Sequence, residues 1–230
     1  MRLEPPIIIL NFKSHKETTG HQAENLALIA EKVSRDTGIT VAIAAQATDI
    51  FRLSRRVKIP ILAQHVDAED PGNYTGHITA YAVKEAGGVG SLLNHSEKRL
   101  LLMDIAKAIA ALRTEDLVSV LCTDTPFTSI AGAALRPDFL AVEAPELIGT
   151  GISVAKAKPE IITRTIELVN ELSLDIPILC GAGITDMNDV SRAFDLGVDG
   201  VLLTSAFVKS NDKYGLLFSM CKAAIEHYKR

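Results

Sequence analysis

Tryptophan is absent from the 230 residues and aromatics make up only 5%, while apolar residues reach 47%. A chain so composed can bury a large core of Val, Ile, Leu and Ala, side chains that fill barrels well, without metals or disulfides to hold it together. Cysteine is scarce too. Cys122, Cys180 and Cys221 show neither a paired framework nor C-x-x-C spacing, which argues against a disulfide scaffold or a zinc site and for three reduced, buried thiols. Neither sign of charge dominates: the net charge is -4 and the basic residues are scattered, so there is no nucleic-acid footprint and any anion site must be built locally. Long apolar runs are missing as well. Nothing near the N-terminus is long enough for a signal h-region or a transmembrane helix, so the expectation is a cytoplasmic protein with no membrane partner. With no repeat beyond the βα unit, no low-complexity tract and no linker, residues 1–230 read as one domain.

What is present is a regular alternation. Short aliphatic or β-branched runs occur at 7–10, 41–44, 59–63, 89–93, 117–121, 139–142, 176–180 and 200–203, eight in all. Helix-period stretches lie between most of them. Over 22–35, Leu26, Ile29, Ala30 and Val33 recur at spacings of three and four, and over 98–112 so do Leu101, Ile105, Ala108, Ile109 and Leu112. Strands alternating with helices predict a parallel sheet covered by helices, and eight such units close most economically into a (β/α)8 barrel. An open doubly wound sheet is the alternative, but a G-x-G-x-x-G turn after the first strand is absent.

Several polar segments fall where strands should end. Glu143 closes the run Phe139-Leu140-Ala141-Val142 and is followed by Ala144-Pro145-Glu146-Leu147-Ile148-Gly149-Thr150-Gly151. A carboxylate emerging from a buried strand beside a glycine-rich segment that can fold over it reads as a general base under a lid. Asn11 and Lys13 flank Phe12 at the exit of the first strand; if the chain stays extended, both point into the mouth and Phe12 points outward. Lys13 there is either a holder of an oxyanion or phosphate or a solvated edge lysine. Asn94-His95-Ser96-Glu97-Lys98-Arg99 follows the fourth strand and reads as the opening of the next helix. His95 near a helix N-terminus would stay neutral and could polarise a carbonyl; the other reading is a capping segment, with Ser96 or Asn94 on the helix amides and His95 packed. Gly181-Ala182-Gly183 after the seventh strand and Thr204-Ser205 after the eighth are either turns or a phosphate cradle, and their pairing at one barrel face favours the cradle. His15, His21, His65, His77 and His227 lack metal-ligand spacing and read as surface or structural residues, with His65 and His77 also candidates for subunit contact.

Taken in order, these segments resemble the triose-phosphate isomerase family across the whole chain. The family's Asn-x-Lys matches Asn11-Phe12-Lys13, its His-Ser-Glu-x-Arg matches His95-Ser96-Glu97-Lys98-Arg99, and its base with hinged lid matches Val142 to Gly151. Cys122 resembles the cysteine after the family's fifth strand, and Tyr74-Thr75-Gly76 the third loop that members insert into a neighbouring subunit. Asn94, Val142, Ala144, Gly183 and the pair Thr204-Ser205 depart from the commoner pattern, and with the short chain most of these look like the compact archaeal branch.

The resemblance implies a (β/α)8 barrel that interconverts dihydroxyacetone phosphate and D-glyceraldehyde 3-phosphate through an enediolate. It implies Glu143 as base, His95 as proton shuttle, Lys13 and Asn11 as stabilisers of the enediolate, and Glu97 as an orienting group. Ile148, Gly149, Gly151, Gly183, Thr204 and Ser205, with Asn11 and Lys13, would bind the substrate and its phosphate. No metal or organic cofactor is implied; a homo-oligomer is, with a tetramer favoured over a dimer. Two other classes share parts of this pattern. A phosphosugar synthase or aldolase would place a Schiff-base lysine or another acid deep in the barrel, and a silent phosphate-binding barrel would lose one of Lys13, His95 and Glu143.

Overall fold

The computed structural model describes residues 3–144, 147, 150–172, 174–181 and 183–229. Eight strands, β1 (Ile7–Asn11), β2 (Thr40–Ala45), β3 (Ile61–Ala63), β4 (Gly90–Leu93), β5 (Val118–Thr123), β6 (Phe139–Glu143), β7 (Ile178–Gly181) and β8 (Gly200–Leu203), pair in sequence order into a closed barrel. Every pairing is parallel, including β8 with β1, which leaves no edge strand. Between and around them run α1 (His21–Thr37), α2 (Ala47–Arg56), α3 (Ala80–Glu85), α4 (Leu102–Thr114), α5 (Pro126–Ala133), α6 (Val154–Ala157), α7 (Pro159–Glu171), α8 (Met187–Asp195), α9 (Ser205–Lys209) and α10 (Lys213–His227). Among the described residues no helix is long and apolar enough to cross a membrane.

The period of two along each strand divides the buried side chains into two clusters. Ile7, Ile9, Ala42, Ala44, Leu62, Leu92, Val120, Cys122, Ala141, Leu179 and Leu202 pack with one another inside the barrel, with Leu3 beneath them. Their neighbours Ile8, Leu10, Phe12, Val41, Ile43, Leu121, Leu140, Val142 and Val201 face outward and join the apolar stripes of the helices. Each such aliphatic side chain contributes roughly 1.5–3 kcal/mol when fully buried, which is why the strands read as continuous apolar runs. All three cysteines are free and buried. Burial pushes the Cys221 thiol up to about 12 and lifts those of Cys122 and Cys180 as well.

The expected strands lie where the aliphatic runs are, although β3 and β7 begin two residues later than those runs and β1, β5, β6 and β7 extend into the functional segment beyond them. The first predicted helix is α1, ended by Gly38 in the left-handed region. The second expectation needs correction. Residues 95–100 are not helical, and α4 starts at Leu102 after an extended Leu101. Asn94 takes the Leu100 amide on its side chain and Arg99 is drawn to Asp124, so this stretch is spent on tertiary bonds instead of a first helical turn.

Candidate active site

The mouth at the C-terminal ends of the strands gathers polar residues that the strand ends present. Asn11 is the last residue of β1, and its Oδ1 accepts from the Lys13 amide at 3.0 Å. Lys13 is not extended as expected; its φ of +49° lies in the left-handed region, where a non-glycine residue is held only by its surroundings. Gln64 supplies that hold: its Nε2 donates to the Lys13 carbonyl at 2.8 Å and to the Ala44 carbonyl at 3.2 Å. The lysine side chain reaches the mouth by this turn, and its Nζ pairs with Glu97 Oε1 at 2.7 Å. Phe12 does point outward, fully buried against the helices.

His95 sits in the loop after β4, seven residues before α4, so the expected helix N-terminus does not lie against its ring. A local bond acts on the ring instead. The Glu97 amide donates to His95 Nδ1 at 3.2 Å, which assigns that nitrogen as acceptor and leaves the ring proton on Nε2. Nε2 is the atom that faces Glu143, 3.4 Å from Oε2.

Glu143 ends β6 and is 5% exposed. The 3.4 Å approach to His95 is not an aligned hydrogen bond, and Oε2 has no hydrogen-bond partner among the described residues. A buried polar atom left unpaired costs about 1–3 kcal/mol, more when charged, so this oxygen is held ready for a group that arrives. The side chain owes its position to β7. In the parallel register Glu143 lies beside Gly181, and a Cβ on Gly181 would stand 2.6 Å from Glu143 Cγ and 3.0 Å from Oε1. Any side chain there would evict the carboxylate. The sequence motif around Gly181 pointed to phosphate; the geometry sets that glycine against the Glu143 side chain.

Beyond β7, Gly183 has φ +73°, and a Cβ on it would collide with the Ile152 carbonyl and the Ser153 amide, so the two backbone segments meet with no room for a side chain. Thr204 and Ser205 lie at the start of α9. A cavity of about 270 Å³ is lined by Asn11, Lys13, His95, Glu97, Glu143, Gly183, Thr204 and Ser205, together with His15, Ile184, Leu202, Leu203 and Lys209. Gly151, with φ +77°, does not line it. Ile148 and Gly149 lie outside the described residues, as do Pro145, Glu146 and Ala182.

Gln64 and Lys209 were not singled out from the sequence. Gln64 could have been, as the first polar residue after the buried run Ile61-Leu62-Ala63. A second cavity of about 500 Å³ shares the wall made by Asn11, Lys13, His95 and Glu97 and opens toward Gln46, Gln64, His65, Asp67 and Gly76. There His65 pairs with Asp67 at 3.0 Å, while His21 and His227 meet Glu24 and Asp195 on the surface.

A family model described as triosephosphate isomerase matches residues 6–224. The chain is 48% identical over 211 residues to a triosephosphate isomerase of Methanothermus fervidus, covering 92% of this chain and 95% of the relative. It is 48% identical over 206 residues to that of Methanocaldococcus jannaschii, with 90% and 94% covered, and 45% identical over 217 residues to that of Methanothermobacter thermautotrophicus, with 94% and 95% covered.

Proposed function

The chain belongs to the triose-phosphate isomerase family, and from that premise we infer that Glu143, His95, Lys13 and Asn11 carry out the family's reaction in the 270 Å³ cavity. The activity is the interconversion of dihydroxyacetone phosphate and D-glyceraldehyde 3-phosphate, a step of glycolysis. Glu143 takes a proton from the carbon next to the carbonyl, and the electron pair moves onto the carbonyl oxygen to give an enediolate. His95, with its proton on Nε2, donates to that oxygen and passes protons between the two oxygens. Lys13 and the Asn11 amide lower the energy of the developing charge, an effect strongest where water is excluded. Glu143 then returns the proton to the neighbouring carbon, so atoms and charge balance with no co-reactant. The observation that carries this reading is the unpartnered Glu143 oxygen facing Nε2 of an imidazole whose Nδ1 accepts from the Glu97 amide.

Glu97 holds the Lys13 ammonium through its carboxylate and the His95 ring through its amide, which suits an orienting role. Gly183, Thr204 and Ser205, with Ile148, Gly149 and Gly151 of the lid, are the group proposed to hold the phosphate and exclude water. The test is a coupled assay started with D-glyceraldehyde 3-phosphate. The parent should turn over, and Glu143→Gln, which keeps the shape of the side chain but not its basicity, should lose roughly 10²- to 10⁴-fold in kcat with a modest change in KM. Retention within about tenfold would remove Glu143 from the role of base.

Residues 1–230 act as one catalytic domain in this reading, in the cytoplasm, as a homotetramer. A tetramer of D2 symmetry needs two kinds of self-complementary surface. One candidate is the Tyr74-Thr75-Gly76 loop with the 500 Å³ cavity beside the active site, where a partner's loop could dock. The other is the set of apolar side chains left exposed at the starts of α4 and α5, where Leu101 is 70% and Phe127 79% exposed, with Leu102 and Met103 beside Leu101. Light scattering across a dilution series tests this, and a fully active monomer would refute it.

A further inference from the structure

We propose that Asn94 is a positioning residue for the acid–base pair: it fixes the loop that carries His95 to β5, the strand paired with the one that carries Glu143. The inference rests on the reading of His95 and Glu143 given above and adds a residue to it. His95 has no regular element under it, because β4 ends at Leu93 and α4 starts at Leu102. What holds the ring in place must therefore come from single bonds.

Asn94 has φ +58°, the left-handed conformation that asparagine tolerates better than most residues, and this turn swings the chain from the strand line into the mouth just before His95. Its side chain is satisfied at both ends. Oδ1 accepts from the Leu100 amide at 2.9 Å, which closes the loop on itself, and Nδ2 donates to the Cys122 carbonyl at 3.0 Å, which ties the loop to β5. The amide orientation is unambiguous, since one partner can only donate and the other only accept. The second tie is the one that matters for chemistry. Cys122 lies in β5, which pairs in parallel with β6 through Cys122 opposite Ala141 and Thr123 opposite Val142, and Glu143 is the last residue of β6. The 3.4 Å gap between His95 Nε2 and Glu143 Oε2 is thus set across two neighbouring strands, with Asn94 as the link between the His95 loop and β5.

The test uses Asn94→Gly and Asn94→Asp in the full-length enzyme, with His95→Gln as control. Glycine keeps the left-handed turn at no steric cost and deletes both side-chain bonds; aspartate keeps the bond from Leu100 and sets an oxygen against the Cys122 carbonyl. Both should lose about 10- to 100-fold in kcat with KM little changed, the signature of misplacement of reacting groups by about 1 Å. ¹⁵N spectra of the imidazole should show His95 in one tautomer in the parent and a mixture in both variants, while the melting temperature shifts little. If His95→Gln is inactive but the Asn94 variants keep parental kcat and a single tautomer, the Asn94 inference is wrong and the reaction assignment stands. If His95→Gln itself is nearly as active as the parent, the site reading fails and takes this inference with it. Should both Asn94 variants fail to fold, or lose kcat with the parental tautomer intact, Asn94 is a structural residue and the proposal is overturned.

Discussion

At the ends of β1, β4 and β6 the mouth is built from polar side chains held by named partners: Asn11 by the Lys13 amide, Lys13 by Glu97 and Gln64, and His95 by the Glu97 amide. At the ends of β7 and β8 it is built from backbone, with Gly183 pressed against the Ile152 carbonyl and Thr204 entering α9 without a side-chain cap. The two halves face different demands. Proton transfer needs atoms of definite basicity held at fixed separations, which only ordered side chains provide. A phosphate needs several donors around a large anion, which amides supply without a side-chain entropy cost. The comparison predicts that damage to the first half appears mainly in turnover, and damage to the second mainly in binding or in local stability. Lys13 belongs to both, because it lines the cavity together with Glu143 of the first half and Gly183, Thr204 and Ser205 of the second.

The largest effect is therefore expected at Lys13. Replacement by methionine keeps most of the stem but removes the charge, so kcat/KM should fall by at least about 10²-fold, with both kcat and KM worsened. Lys16→Met, in the short 3₁₀ turn beyond it, should be close to silent. Steady-state kinetics on the two variants decides the matter, and small, similar effects at both positions would remove Lys13 from the site.

Gly181→Ala separates the halves more sharply, since Gly181 lies in β7 but packs against Glu143 of β6. The added methyl meets Glu143 Cγ at 2.6 Å and must displace it, while the β6–β7 pairing of backbone can remain. Turnover should drop by about 10- to 10²-fold with KM little altered, and stability by about 1–3 kcal/mol from overpacking. A rise in KM with unchanged kcat would return Gly181 to the phosphate cradle.

The same contrast explains what could be read without coordinates. The barrel was legible because its strands are buried on both faces and so are written as uninterrupted aliphatic runs, and the helices because their stripes recur at three and four. Asn11, Lys13, His95 and Glu143 were legible as candidates because they are polar side chains standing just past those runs. The route by which they are positioned was not. The left-handed φ at Lys13 and the missing helical turn before Leu102 depend on partners distant in sequence, Gln64 and Asp124, while the amide under His95 Nδ1 comes from nearby Glu97 only once the loop has taken its tertiary shape. Gly181 shows the same limit from the other side. Glycine is compatible with a turn, a phosphate or a neighbour's side chain, and only the register with Glu143 chooses among these.

The smallest effect at neutral pH concerns what anchors the second half. Asp189 is buried at the start of α8; its Oδ2 accepts from the Thr185 amide at 2.8 Å and hydroxyl at 2.6 Å, and Lys156 of α6 sits 2.6 Å from Oδ1. Burial alone would raise the Asp189 carboxyl, but Lys156 and Thr185 more than reverse this and hold it below the usual carboxylate range. A folded-state pKa lower than the unfolded one means a contribution that is fully present above the unfolded value, about 3.9, and is lost as pH falls through the folded value. The Lys156 ammonium is shifted upward by Asp189, so its share is fully present below its ordinary value and disappears only in strong alkali. The pair thus contributes a plateau across neutral pH with an acid edge below about pH 4. Thermal unfolding of parent and Asp189→Asn should differ by about 1–3 kcal/mol at neutral pH, and the gap should narrow as the pH is lowered toward 3, because the parent then loses what the variant never had. Hydrogen exchange locates the loss: amides of the loop before α8 and of α6 should lose protection in acid before those of β1 and β4. If the two proteins show parallel stability curves down to about pH 3, Asp189 does not anchor this half of the mouth, and its burial has another cause.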